Sequence, residues 1–217
     1  LIVITRWFGE AFPEASIEFR YDRVRSRGVA EKLLHDLRLE PRGMKHSVVF
    51  ESDDISRIFL ERSLGLERAN RVMAEDVLVW YWRHRWFRPL QEEEYTVEVA
   101  PTGEVVSFSR LIPEATAMPL ADEAAARRAA EIFLKRLGID RRTVELVSQS
   151  ERNLPARVQR IFTWESKRVR PGGAPYRYVA TVDGGAVTSF ARRVRAGEAL
   201  RSPSSVGTVK SPAISSR

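Results

Sequence analysis

The sequence predicts an α+β protein of two tandem units, each a helix packed on a small antiparallel sheet, and three observations predict it. A helical segment recurs at a fixed spacing, strand-like runs follow it both times, and the last hairpin signal has a counterpart in the first half. VAEKLLHDLRLEPR at Val29 to Arg42 lies over AAEIFLKRLGIDRR at Ala129 to Arg142, so that Leu34 meets Leu134, Leu37 meets Leu137 and Leu39 meets Ile139, an offset of 100. Further on, WYWRHRWFRP at Trp80 to Pro89 lies over FTWESKRVRP at Phe162 to Pro171 with an offset of 82, which also places Gly103 on Gly185 and Phe108 on Phe190. The shortfall of 18 residues calls for an insertion in the first half, between Glu51 and Val77.

The elements follow in order. Unit 1 spans residues 12–113 and opens on the first helix. Its insertion, near residues 52–76, reads DDISRIFLERSLGLERANRVM. Apolar spacing at Ile55, Ile58, Phe59 and Leu66, with Asp53 or Asp54 as N-cap, predicts one or two short helices broken at Gly65. A strand VWYWRHRWF comes next, then the hairpin EYTVEVAPTGEVVSFSRLI with Pro101-Thr102-Gly103 at its turn. Unit 2 spans residues 114–196. Asp122 is the N-cap of its Ala-rich helix, which runs through Phe133 and Leu134 and stops at Gly138. VELVSQSE from Val144, RVQRIFTWES from Arg157, YRYVATVD from Tyr176 and AVTSFARRV from Ala186 read as strands, the last two joined by Asp183-Gly184-Gly185. Residues 1–11, LIVITRWFGEA, read either as the end of a membrane anchor or as a first strand, since about 20 apolar residues are needed to span a bilayer. Residues 197–217, rich in Ser and Pro without periodicity, are expected to be a disordered tail.

Composition narrows the chemistry. Basic residues outnumber acidic ones by 36 to 29, a net charge of +7 that favours acidic partners, but the arginines are interleaved with Glu and Asp and read as solvated faces. Cysteine is absent, which removes disulfides and thiolate chemistry. His35, His46 and His84 show no metal-ligand spacing, and His35-Asp36 reads as a solvent-facing pair. No Gly-x-Ser-x-Gly elbow is present, Gly172-Gly173 and Gly184-Gly185 are turn signals, and Asp53-Asp54 are helix caps. The residues present therefore predict no catalytic group, no metal site and no cofactor.

The order of AEKLL, LGLERAN, VWYWRHRWFRPLQEEEY, GEVVSFSRLIPE, then LADEAAARRAAEIFLKRLGI and FTWE resembles the PepSY domain in two copies. More specifically, over about Phe12 to Arg195 it resembles the extracytoplasmic region preceding the membrane helices of bacterial CPBP-family intramembrane proteases, relatives of the CAAX prenyl proteases. The resemblance implies a non-catalytic accessory or regulatory domain held outside the cytoplasmic membrane of the bacterial envelope. Its partners would be the attached metalloprotease or that enzyme's protein or peptide substrate, and its tether a segment outside this chain. The family's Glu-Glu-x-x-x-Arg motif has no match: Glu92-Glu93-Glu94 is followed by Tyr95-Thr96-Val97-Glu98, without the arginine. A stand-alone envelope interaction domain is the cautious form of the same expectation.

The densest stretch is VWYWRHRWFRP, with three tryptophans, a tyrosine, a phenylalanine and four arginines or histidines. Aromatics alternating with arginines raise nucleic-acid binding as a rival, because bases stack on rings and guanidiniums neutralise phosphates. The offset of 82 instead pairs Trp80 and Trp82 with Phe162 and Trp164, which predicts a core-facing pair. The same offset sets Trp86 against Arg168, so Arg83, Arg85 and Trp86 are the expected surface for a protein, peptide or lipid partner.

Overall fold

The computed structural model describes Ile17 and residues 19–195. The expectations for residues 1–11 and 197–217 lie outside the described residues. Among the described residues, four α-helices and eight strands follow in the order α1 (Arg23–Asp36), β1 (Lys45–Ser52), α2 (Asp54–Leu64), α3 (Leu66–Glu75), β2 (Trp80–Phe87), β3 (Glu94–Val99), β4 (Val105–Leu111), α4 (Glu123–Arg136), β5 (Val144–Leu154), β6 (Arg157–Ser166), β7 (Tyr176–Asp183) and β8 (Ala186–Val194). The class is α+β, as predicted.

The two long helices start and stop by the same chemistry 100 residues apart. Asp22 accepts from the backbone amides of Val24 and Arg25 at 2.9 and 2.8 Å, and Asp122 from that of Ala125 at 2.5 Å. Each helix ends on a residue in the left-handed region, Arg38 at φ 58° and Gly138 at φ 75°. The next amide bonds back across the turn, Leu39 to the carbonyl of Leu34 at 2.8 Å and Ile139 to that of Leu134 at 3.0 Å. Ala30, Leu33 and Leu34 of α1 are buried, as are Ala130, Phe133 and Leu134 of α4.

Each half contributes four antiparallel strands, but they do not form two sheets. They join in one eight-stranded sheet of order β1-β2-β3-β4-β8-β7-β6-β5, which places the strands of the halves as mirror-ordered neighbours. The seam is short: Ser107 opposite Ala191, Phe108 opposite Phe190 and Ser109 opposite Ser189. Phe133 from α4 contacts both seam phenylalanines, at ring separations of 6.0 and 5.5 Å. The main core lies on this helix-covered face and runs through both halves.

Two helices, α2 and α3, lie between β1 and β2. Asp53 caps α2, accepting from Ser56 N at 3.1 Å, and Gly65 at φ 76° breaks α2 from α3. These helices separate β1 from β2, whereas β5 and β6 of the second half are joined by a tight hairpin between Leu154 and Arg157. They reach over the second half: a Cβ on Gly172, beyond β6, would meet Ser63 of α2 at 3.0 Å and Phe59 at 3.2 Å.

The linker between the halves is gripped by the sheet. Arg157, 6% exposed, pairs with Asp183, 2% exposed, at 3.1 Å. It also donates to the carbonyls of Ile112, Pro113, Glu114 and Thr116.

Candidate functional site

Strand β2 carries the predicted site, and its alternation separates the three residues. Trp86 is 2% exposed and belongs to the main core, beside the rings of His46 and His84. Arg83 and Arg85 point to the opposite face of the sheet, because neighbouring strand residues alternate. The expectation that Trp86 joins them on a surface is therefore corrected.

The cause is the register. Trp86 stands opposite Tyr95 on β3, and Trp164 stands opposite Tyr178 on β7. Val97 and Ala180, two positions further along those strands, stand opposite the seam residues Phe108 and Phe190. The structural counterpart of Trp86 is thus Trp164, also 2% exposed, and not Arg168. Trp80 and Trp82 do share the core-facing side with Trp86, but their pairing with Phe162 and Trp164 is corrected. Both are half-buried: Trp80 packs against the main core, and Trp82 donates its indole N–H to the carbonyl of Tyr21 at 3.0 Å while packing on Phe50.

The same register exposes a difference between the halves. His84 takes the position of Phe162, His46 opposite Trp86 takes that of Leu146 opposite Trp164, and Ser26 lies 100 residues before Ala126. Where the second half is apolar, the first buries a polar chain. His84 Nε2 lies 3.0 Å from Ser26 Oγ, and its Nδ1 lies 3.1 Å from His46 Nε2. Ser26 Oγ donates to the carbonyl of Arg23 at 3.2 Å, which assigns its oxygen as acceptor from His84 Nε2–H and leaves Nδ1 to accept from His46. Burial, aided by His46 and Arg27, holds the His84 imidazole down to about 4. His46 is also lowered, chiefly by burial. Ser26 and His84 are both 0% exposed, so neither side chain faces solvent.

On the opposite face, Arg83 takes part in a charged cluster that the sequence did not reveal. Its centre is Glu98, 4% exposed. Glu98 accepts from Arg83 Nε at 3.0 Å, from Ser107 Oγ at 2.6 Å and from Arg193 Nη2 at 2.6 Å. Arg83 reaches Glu51, and Arg193 lies 3.3 Å from Asp53, the α2 cap. Both guanidiniums sit 5.5 Å from the Tyr81 ring centre. Burial pushes the Tyr81 hydroxyl up, and the Glu98 charge pushes it further. The cluster joins strands of both halves to the start of the insertion. Arg85, half-exposed, pairs with Glu94 at 2.9 Å through Nε. The signal was Glu98 itself, between the buried Val97 and Val99, with opposite charges at Arg83 on the neighbouring β2 and at Arg193 on β8, two strands away.

Between that cluster and the gripped linker, this second face carries Thr96, Ser109, Ser189, Ala191, Val179 and Thr181, all half-buried or exposed. The small apolar cluster on this side, Tyr81, Ala100 and Val106 with Leu78, contains no helix residue. The helices thus cover one face, and the other is open among the described residues. Of the other histidines, His35 is 80% exposed near Glu40. No group of three or more His, Cys, Asp or Glu able to hold a metal occurs among the described residues. None of the described helices is long and apolar enough to cross a membrane.

No family model matches the chain, and no curated protein matches it. A solved structure, the Bacillus megaterium YpeB C-terminal domain, is similar at a TM-score of 0.48 and 11% identity, over 79% of this chain and 62% of that one. The chain thus spans less than two thirds of that structure's length.

Proposed function

We propose that this chain is a non-catalytic accessory domain that binds the peptidase or the protein substrate of a membrane-bound protease of CPBP type, on the outer side of the membrane. The observation that carries the reading is the open sheet face. Strands of both halves supply it, its centre is small side chains, and its charged groups Arg83, Glu98 and Arg193 are already satisfied by one another. Such a surface offers shape to another protein and no free acid, base or nucleophile to a substrate. The ordered segments that resemble the CPBP extracytoplasmic region supply the choice of partner. Nucleic-acid stacking is not favoured, because Trp86 is core and Arg83 and Arg85 are paired with carboxylates.

The reading expects the encoding gene to carry membrane helices bearing paired glutamates and histidines. It also expects deletion of residues 19–195 from the encoded protein to change the rate of substrate cleavage in membranes while leaving insertion intact. Unchanged cleavage, or a gene without such helices, overturns it.

A further inference from the structure

The connection after β6 forms a basic groove with the insertion, at a place distinct from the open face and independent of its proposed role. Arg68 of α3, with Arg168 and Arg170 of the connection, lines a groove of about 160 Å³. Leu64, Val72 and the buried Pro171 supply apolar lining, and Asp76 contributes its one carboxylate. The three guanidiniums are exposed and have no hydrogen bond or ion pair among the described residues. Arg71, also on α3, and Arg57 on α2 behave otherwise, each paired with a carboxylate.

The first half shows what a neutralised version of this connection looks like. Glu93 in the connection between β2 and β3 pairs with Arg110, and Glu94, where β3 opens, pairs with Arg85. The second-half connection reads Lys167-Arg168-Val169-Arg170-Pro171-Gly172-Gly173-Ala174-Pro175, with no carboxylate. It is also held in shape. Ser166 Oγ accepts from the amides of Arg168 and Val169, Lys167 N donates to the carbonyl of Thr143, and Gly173 N to that of Arg170. Gly172, at φ 59°, lies against Phe59 and Ser63 of α2. A fixed loop whose unpaired guanidiniums line one groove with Arg68 loses little freedom when it closes on an anion, and planar guanidiniums match phosphate oxygens.

We propose that Arg68, Arg168 and Arg170 form a binding site for a phosphate group, carried either by an anionic lipid headgroup or by a soluble phosphate. The test has two arms on the whole chain: sedimentation with vesicles of phosphatidylglycerol in phosphatidylcholine, against phosphatidylcholine alone, and NMR titration of the arginine side chains with inorganic phosphate. A basic residue near an anionic surface contributes about 1 kcal/mol, so Arg68→Gln should weaken the binding about fivefold and Arg168→Gln with Arg170→Gln about 25-fold. Arg128→Gln, removing an exposed guanidinium in a different groove on α4, should leave it unchanged. Thermal melting confirms that each variant is folded. Binding to vesicles alone assigns the lipid headgroup, and phosphate-induced shifts at the three arginines without vesicle binding assign a soluble phosphate. Binding in neither arm, or equal weakening by Arg128→Gln, overturns the proposal.

Discussion

Lowering the pH should weaken the fold through His84, by an amount that its environment sets. The imidazole is 0% exposed, faces Ser26 of α1, His46 of β1 and Trp86 of β2, and has the Arg27 charge nearby, with Glu31 also acting on His46. In the unfolded chain it titrates at its ordinary 6.5, and in the folded protein at about 4. The unfolded state therefore takes up the proton first as pH falls. Stability is complete above pH 6.5 and is lost between 6.5 and about 4, by roughly 2 kcal/mol at pH 5 and about 3 kcal/mol in total, at 1.36 kcal/mol per pH unit. His46, lowered in the same way, adds to the loss. The second half supplies the control: Ser26→Ala, His46→Leu and His84→Phe together transplant Ala126, Leu146 and Phe162. Replacing all partners by apolar groups avoids an orphaned donor or acceptor and should be near neutral at pH 7.5. Urea denaturation at pH 7.5 and pH 5 measures both proteins. The wild type should lose about 2 kcal/mol more than the triple variant over that interval. Equal losses would refute the assignment of the acid sensitivity to this chain of residues.

Four further substitutions test the fold. Arg157→Met should cost about 3–5 kcal/mol in urea denaturation, because it leaves the buried Asp183 charge without its partner and the linker carbonyls without their donor. Trp86→Ala should cost about 3–5 kcal/mol, as expected for emptying a core site, while Arg85→Ala on the next strand position should cost under about 1 kcal/mol. Calorimetric melting of Arg38→Gly should show a gain of about 1 kcal/mol, since Arg38 holds the left-handed position at which α4 has Gly138.

Much of this fold was legible in the sequence, since capping aspartates, hairpin glycines and helical spacing are local signals. Asp122, Gly138, Gly65 and Gly103 each stand where their chemistry required. The register of β2 was not legible, and one physical reason accounts for it. Trp86 and Tyr95 are nine positions apart, Trp164 and Tyr178 fourteen, so the connection after β6 is longer and matching letters slide the strand by four. Trp80, Trp82 and Trp86 all share one face, so alternation alone could not say which of them matches Trp164. The joining of two predicted sheets into one rests on three residue pairs between β4 and β8, and small Ser and Ala residues around Phe108 and Phe190 carry no pairing signature. The Glu98 cluster was not legible, since its partners come from β2 and β8, which the sequence separates by about a hundred positions.

The central claim, that the open sheet face contacts a membrane-bound protease or its substrate, is tested most directly on Ser109 and Ser189, paired across the seam. Ser109→Lys with Ser189→Lys in the full encoded protein places two charges at the centre of that face while leaving the helix-covered core untouched. The account predicts a domain that stays folded, with the small loss of melting temperature that two opposed lysines cause, together with a cleavage rate shifted to that of the protein lacking residues 19–195. Wild-type cleavage by this variant, with the deletion still altering the rate, would contradict it.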